Sequence, residues 1–203
     1  MKYIPILFKP HMVTAILKLW KTQTRRRLSD DYQVGDILWV KERHYAYGEW
    51  IRNGLTKTGK QAWKFVRDRS KPILFEEPED LHRIPKNRDR GYYVRSSLYH
   101  EKADCRLHLE ITNIRHEKLQ DISSLDAIRE GINRCEIFGE YSYKDYLADA
   151  SEYGHPDHDF PTLHDPIDSF QTLWDSINGD GPGAWKFNPT VIALDFKICH
   201  PTS

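Results

Sequence analysis

The sequence lacks the features that mark membrane and exported proteins. It contains no apolar run long enough to cross a lipid bilayer. The segment 1–8 has a single lysine and a short apolar stretch interrupted by Pro5, with no small-residue cleavage site, which favours a β-strand over a signal peptide. Disorder is also excluded, because 39% of the residues are hydrophobic and 12% are aromatic. These observations predict a folded, cytoplasmic protein with no membrane partner.

Cysteine is scarce, and its arrangement offers neither a disulfide framework nor a zinc site. The three cysteines, Cys105, Cys135 and Cys199, form no CxxC pair, which predicts reduced thiols in a cytosolic protein. One segment is rich in His and Asp, but its spacing matches no established zinc pattern, and we interpret it as a solvated loop. Its residues are His155, Asp157, His158, Asp159 and His164. We therefore predict neither a metal nor a cofactor.

Net charge is also absent overall, yet the charges are unevenly spread along the chain. Residues 1–135 hold 27 Lys and Arg against 18 Asp and Glu, a net of +9, whereas residues 136–203 hold 3 against 12, a net of −9. This asymmetry is compatible with a basic face that meets phosphates. It is equally compatible with two halves that neutralise each other across the fold, and the two interpretations stay open.

The order of strand-like and helix-like segments predicts a mainly β protein with flanking helices, of the α+β class. Alternating or β-branched stretches predict strands, and apolar residues at helical spacing predict helices. The predicted strands are 2–8, 21–27, 37–40, 106–112 and 190–196, with a short strand at 62–66. The predicted helices are 12–20, 167–177 and one that starts at Ser123, is capped by Asp126 and ends at Gly131. We interpret about 44–95 and 134–165 as insertions.

Several short motifs, taken in their order along the chain, resemble the ASCH family, and especially its phage and prophage branch. Each motif is weak by itself, and the ordered set is specific. The matching stretches are 21–26 (KTQTRR), 34–42 (VGDILWVKE), 109–112 (LEIT), 119–122 (LQDI), 127–132 (AIREGI), 173–178 (LWDSIN), Trp185 with Asn188-Pro189, and 195–197 (DFK). The resemblance implies one domain over 1–203, a PUA-like mixed β-barrel with a cleft for RNA or a modified nucleoside.

The resemblance also implies a reaction and its catalytic residues. Small bacterial ASCH proteins include amidohydrolases that remove the acetyl group from N4-acetylcytidine, with a lysine and a threonine in a K-T-x-T motif and a glutamate further on. The matching positions in this chain are Lys21, Thr24 and Glu130.

The residue types suit that chemistry. A threonine hydroxyl needs a base to become nucleophilic, and a lysine whose pKa is lowered by burial or by neighbouring cations can be that base. Glu130 would carry the proton or orient the lysine. Lys21 and Thr24 would point to opposite faces of a regular strand, so the motif requires the chain to bend after Trp20. If the resemblance is set aside, the sequence predicts no site from these three residues, only a solvated surface lysine, a solvated strand threonine and a solvated glutamate at a helix end.

Further residues are candidates for contacts with the substrate or with nucleic acid. Cations cluster beside Trp20, an arrangement that suits phosphate and base contacts but also protects an exposed strand edge. The resemblance adds an arginine that opens the central strand and a glutamate that ends an apolar strand, which would bind a base or pair with a cation. The binding candidates are Lys18, Arg25, Arg26, Glu42 and Arg106.

Three functions follow from these observations. The first is an N-acyl nucleoside amidohydrolase, and the second is a non-catalytic module that binds RNA or a modified nucleobase. A ribonuclease is the third, although no metal site or general acid–base pair supports it. The substrate and the oligomeric state stay open.

Overall fold

A computed structural model describes residues 1–27, 31–83, 88–137, 139–148 and 160–200, and it contains eleven strands and three α-helices in those ranges. The helices are α1 (Pro10–Leu17), α2 (Ser124–Arg129) and α3 (Pro166–Asn178). The strands are β1 (Tyr3–Leu7), β2 (Gln23–Arg27), β3 (Ile37–Lys41), β4 (His44–Leu55), β5 (Gln61–Arg67), β6 (Gly91–Arg95), β7 (His108–Lys118), β8 (Arg134–Ile137), β9 (Glu140–Lys144), β10 (Thr162–Leu163) and β11 (Thr190–Cys199).

The chain divides into two compact units. The first unit is Met1–Ile4, His11–Leu38 and His108–Ser203, and the second is Pro5–Pro10 and Trp39–Leu107. The predicted insertion at 44–95 falls wholly inside the second unit.

The largest sheet has five strands in the order β1-β3-β7-β11-β2. In the first unit, β11 lies between β7 and β2 and is antiparallel to both. Its apolar residues Val191 and Leu194 are fully buried, as is Leu109 of β7. Burial of such aliphatic side chains supplies the main driving force for this sheet. The acidic insertion at 134–165 contributes a second, three-stranded sheet in the order β10-β9-β8.

A β-bulge keeps the apolar residues of β7 and β11 in register. Asp195 pairs with Asn113, but the next residue, Phe196, pairs with Ile111, so that Thr112 is the extra residue of the bulge. The shift places the buried Phe196 beside the fully buried Ile111. Without it, Phe196 would face the exposed Thr112.

Helix α2 begins and ends as its sequence predicts. The Ser123 hydroxyl accepts a hydrogen bond from the backbone N–H of Asp126, which satisfies one of the unpaired donors of the first turn. Glu130 is the C-cap, and Gly131 follows with a φ of +79°. This left-handed conformation is the usual way to stop a helix at glycine.

The second unit is built on a three-stranded antiparallel sheet in the order β5-β4-β6. Strand β4 is 12 residues long and pairs with β6 only over His44–Gly48. Its outer half pairs with β5. Tyr93 of β6 is almost completely buried and contacts Trp50 and Phe65 edge to face.

The structure confirms the coarse class. Of the residues that the structure describes, 41% are in strands and 22% in helices, a mainly β protein of the α+β kind. Every strand predicted from sequence has a counterpart, and the 62–66 segment lies within β5. The sheets are open over the described ranges, so closure into a barrel stays a prediction. None of the helices in those ranges is long and apolar enough to cross a membrane.

Gly131 is a position where a side chain would conflict with its surroundings. We expect Gly131→Ala to lower the free energy of unfolding by about 2–4 kcal/mol, since it combines a left-handed backbone with overpacking. The added Cβ would lie 2.6 Å from the Cβ of Lys21. Gly35 is the matched control, because its φ is +88° but an added Cβ meets nothing within 4 Å. Chemical denaturation measures the free energy of unfolding of both variants. If both lose the same amount, the contact between the added Cβ and Lys21 contributes nothing to the loss.

Candidate functional site

A bend after helix α1 brings Lys21 to the end of helix α2. Leu19 has a φ of 59°, and the backbone N–H groups of Trp20 and Lys21 both donate to the carbonyl of Ala15. Lys21 then forms an isolated antiparallel bridge with Glu130 before strand β2 begins at Gln23. Lys21 therefore precedes the regular strand that holds Thr24.

Lys21 and Glu130 form a buried ion pair in the first unit. The Lys21 Nζ donates to the Glu130 carboxylate Oε2 at 2.8 Å and to the Glu130 carbonyl oxygen at 2.6 Å. Only 1% of the lysine side chain and 5% of the glutamate side chain are exposed. Charges at this depth lose their hydration, so the pair depends on close geometry and on further hydrogen bonds.

Burial lowers the pKa of Lys21. Loss of hydration lowers the pKa of the Lys21 amine below its usual range, the Glu130 carboxylate opposes that shift, and the charges of Arg26 and Arg25 add to it. A lowered pKa is the direction of shift that a lysine base requires.

Thr24 is joined to this pair through Arg26. Its Oγ1 accepts a hydrogen bond of 2.9 Å from Arg26 Nη1, and the charge of Glu130 acts on the same guanidinium. Thr24 itself is 1% exposed. Lys21 and Glu130 are thus in direct contact, whereas the side-chain hydrogen bond of Thr24 is to Arg26.

Arg25 takes part in an internal network of charges. Its guanidinium donates to Glu117 Oε1 at 2.5 Å, to Glu130 Oε1 at 3.2 Å and to the Gln23 side chain at 2.6 Å. The Arg25 side chain is 1% exposed. A ligand could reach this arginine only by displacing those partners, so its observed role is to stabilise the first unit.

The network extends over one face of the β2-β11-β7 sheet, and the sequence motifs did not point to it. Arg115 makes ion pairs with Glu117, Asp126 and Asp195. Gln23 donates to Asp195 at 2.5 Å. The signal that could have found it is the alternation of polar residues on adjacent strands, because residues two apart lie on the same face of a sheet. Those residues are Gln23 and Arg25 on β2 and Asn113, Arg115 and Glu117 on β7.

Lys18 and Trp20 lie on the surface of the first unit. Trp20 is 58% exposed, and the Lys18 ammonium lies 4.6 Å from the centroid of its ring. An exposed aromatic ring with an adjacent cation is an arrangement on which a base can stack while its phosphate is neutralised. Of the predicted binding residues in the first unit, Lys18 is exposed, Arg26 half-buried and Arg25 buried.

Glu42 and Arg106 belong to the second unit, where they pair with each other. Arg106 Nη2 donates to Glu42 Oε2 at 2.8 Å, and the guanidinium lies 3.8 Å from the centroid of the Phe75 ring. The Glu42 side chain is 4% exposed and that of Arg106 is 42% exposed. The backbone N–H of Glu42 also donates to His100 Nδ1 at 2.8 Å. Glu42 therefore pairs with a cation, which is one of the two roles that the sequence left open for it.

The described ranges hold no group of three or more His, Cys, Asp or Glu side chains arranged to bind a metal ion. Within the His- and Asp-rich segment, only His164 is among the described residues. His155, Asp157, His158 and Asp159 lie outside them. The three cysteines are free thiols.

Comparison with known proteins gives no match: no family model, no curated protein and no solved structure resembles this chain significantly.

The buried ion pair between Lys21 and Glu130 predicts how substitutions of either residue change the free energy of unfolding. We expect Glu130→Gln to lower the free energy of unfolding by about 3–5 kcal/mol, because it leaves Lys21 and Arg25 with less compensation in a buried site. Lys21→Met should also destabilise. The double variant Lys21→Met/Glu130→Gln should lose less than the sum of the two, because no uncompensated ammonium remains. Chemical denaturation of all three proteins measures this cycle.

An exposed pair of the same chemistry provides the control. Lys2 and Asp31 form an ion pair at 3.0 Å with side chains that are 53% and 80% exposed. Asp31→Asn should leave stability unchanged, because solvent screens exposed pairs. Additivity of the two substitutions at Lys21 and Glu130 would show that the pair contributes no coupling, contrary to the geometry.

Proposed function

We propose that this chain is an ASCH-type protein of the PUA-like class that acts in the cytoplasm on RNA or a modified nucleoside and hydrolyses an N-acyl group from cytidine. The order of the sequence motifs supports the family and its barrel. The buried contact between Lys21 and Glu130 supports the reaction, because it joins two residues of the proposed catalytic set that are 109 positions apart in sequence.

The first half of the reaction forms an ester on the enzyme. The neutral Lys21 amine takes the hydroxyl proton of Thr24 as Oγ1 attacks the acyl carbonyl carbon, and the carbonyl π-electrons move to oxygen. When the tetrahedral intermediate collapses, the C–N bond breaks and the proton passes from Lys21 to the departing N4 amine. Cytidine leaves, and the acyl group remains on Thr24.

Water completes the cycle. A water molecule attacks the ester carbonyl carbon while Lys21 takes one of its protons. Collapse of the tetrahedral intermediate breaks the C–O bond to Thr24, returns that proton to Thr24 Oγ1 and releases the carboxylic acid, which loses its remaining proton to solvent. Glu130 holds Lys21 in place through two hydrogen bonds. A neutral amine has two N–H bonds, which match the two Glu130 acceptors, and its lone pair is the basic site. Arg26, which donates to Thr24 Oγ1, would stabilise negative charge on that oxygen.

The proposal predicts turnover of N4-acetylcytidine that depends on both members of the nucleophile–base pair. Thr24→Ala and Lys21→Ala should each remove most of kcat, and the double variant should lose little more, because residues that act as a unit are non-additive. As pH rises, kcat/KM should increase, with an apparent pKa below the usual lysine value of about 10.4, since the basic form of Lys21 is the active one. Acetate release followed by mass spectrometry measures the rate.

Thr22 provides the matched control. It is an exposed threonine two positions before Thr24, and its hydrogen bonds to Arg129 and Phe196 are made by the backbone. Thr22→Ala should keep both fold and rate. Wild-type protein that binds an acylated nucleoside but releases no acetate would end the amidohydrolase proposal.

Burial favours a second candidate, a non-catalytic module that binds RNA or a modified base. Thr24 and Lys21 are 1% and 2% exposed, so a substrate can reach them only if neighbouring groups move aside. The exposed residues Lys18 and Trp20 need no such movement. In this second candidate, the buried pair of Lys21 and Glu130 stabilises the fold, and the exposed ring of Trp20 contacts the RNA or the base.

The binding candidate predicts a loss of affinity that does not depend on salt. Trp20→Ala should weaken binding of single-stranded RNA by about 5- to 100-fold, the equivalent of one stacked base, and leave the salt slope unchanged because no charge is removed. Fluorescence anisotropy at several salt concentrations gives both values. Phe187→Ala is the control, since Phe187 is 57% exposed and also has a lysine, Lys186, over its ring. An equal effect of both variants would contradict a specific role for Trp20.

A further inference from the structure

The outer part of the β4–β5 hairpin is a two-stranded ribbon, which we define as residues 51–67. Ile51 pairs with Lys64, Arg52 with Trp63 and Leu55 with Gln61. Thr56 closes the turn, because its N–H donates to the Lys60 carbonyl and its hydroxyl accepts from the Lys60 N–H. Every residue from 51 to 61 is exposed. The ribbon therefore presents its side chains to solvent from a hydrogen-bonded frame.

The ribbon carries positive charge only. Between Glu49 and Asp68 the sequence has five cations and no acidic residue. Arg67 pairs with Asp104. The other four cations make no ion pair with any described residue: Arg52, Lys57, Lys60 and Lys64.

Three exposed arginines elsewhere in the second unit, unlike Arg43, have acidic partners. Arg69 pairs with Glu101, Arg83 with Glu77, and Arg90 with both Asp68 and Glu49. Acidic partners are thus common on this unit but absent from the ribbon. Four neighbouring cations repel one another, so an arrangement that leaves them unpaired costs stability and is suited to an anionic ligand.

Aromatic rings lie beside cations, both on one face of the ribbon and at the base of the ribbon. Arg52 and Trp63 are directly opposite each other and share that face. The Arg88 guanidinium lies 4.2 Å from the centroid of the Trp63 ring. At the base, Trp50 pairs with Phe65, whose ring centroid is 4.4 Å from the Arg95 guanidinium. Interleaved cations and half-buried aromatics are typical of surfaces that follow a nucleic-acid backbone.

We propose that the ribbon binds the sugar–phosphate backbone of a nucleic acid. Protection of a sheet edge explains Lys64 on β5 and Arg52 on the part of β4 that pairs only with β5, but not Lys57 and Lys60 in the turn. An anionic membrane fits less well, because the tip 56–60 contains two lysines and no apolar residue to enter the lipid. The inference goes beyond the proposed function, as it involves neither Lys21 nor Thr24 and requires no turnover.

The test is the salt dependence of binding to a single-stranded RNA of mixed sequence. Each phosphate contact on a single strand contributes about 0.7 to the slope of log affinity against log salt concentration. The tip variant Lys57→Gln/Lys60→Gln should therefore flatten the slope by about 1.4, and the quadruple variant that adds Arg52→Gln and Lys64→Gln by up to about 3. At 100 mM salt we expect the quadruple variant to bind at least about tenfold more weakly.

Lys9→Gln/Lys71→Gln is the matched control. Both residues are exposed lysines of the second unit outside the ribbon, and the double variant should keep the wild-type slope. Because the tip residues are exposed in a turn, the tip variant tests the proposal even if the quadruple variant unfolds. Circular dichroism monitors folding.

The outcomes are distinct. Equal slopes and affinities for wild-type protein and tip variant, or wild-type protein that binds no RNA or DNA, would overturn the proposal. Binding to vesicles of phosphatidylserine and phosphatidylcholine without binding to nucleic acid would also overturn it. Single-stranded and duplex RNA and DNA, compared in parallel, identify the source of the phosphates. Turnover of free N4-acetylcytidine should be unaffected in the ribbon variants, so its absence from wild-type protein would count against the proposed reaction alone.

Discussion

The ion pair between Lys21 and Glu130 is the interaction on which the first unit depends. It joins the end of helix α1 to the end of helix α2 and fixes the point from which β2 starts. The close approach is possible because Gly131 has no side chain to meet Lys21. Arg25 adds a second buried cation, so the carboxylates on the same side of the sheet are needed to balance both charges.

A buried lysine is costly for a fold and useful for a reaction for the same reason. Loss of hydration destabilises its charged form, which lowers the pKa of Lys21. Structural ion pairs also show perturbed pKa values, so the shift does not by itself separate a catalytic lysine from a structural one. In the proposed reaction the partner of Lys21 is the hydroxyl of Thr24, which accepts a hydrogen bond from Arg26.

Local patterns predicted the elements but not their electrostatic partners. The alternation in 106–112 and the cap at Ser123 depend on residues that are near in sequence, and both match strand β7 and helix α2. The resemblance to the ASCH family predicts Lys21 and Glu130 as site residues, and their catalytic role stays a prediction. Arg25 was predicted to contact a ligand because cations cluster beside Trp20, yet its observed partners come from other elements and no local pattern shows them. The register of the sheet decides that outcome.

The second unit shows the same limit. Weak periodicity at 51–90 indicated an insertion with a short strand, whereas β4 continues to Leu55 and forms a long hairpin with β5. Exposed strands have little hydrophobic alternation, because neither face is buried, so their sequence carries no strong signal. In this hairpin the charge of the side chains was more informative than hydrophobicity. The pairing of β4 with β5 was needed to show which cations lie on the same ribbon.

The bulge at Thr112 has a consequence for how the chain tolerates changes in length. A strand alternates its faces every residue, so one residue added or removed turns the rest of the strand over. In β7 that change would exchange Ile111 for an exposed neighbour opposite Phe196, and the core would receive polar groups. The turn at 56–60 has no such constraint, since all its residues are exposed. Relatives of this chain should therefore vary in length at the hairpin tip and keep a constant spacing between Leu109 and Asn113.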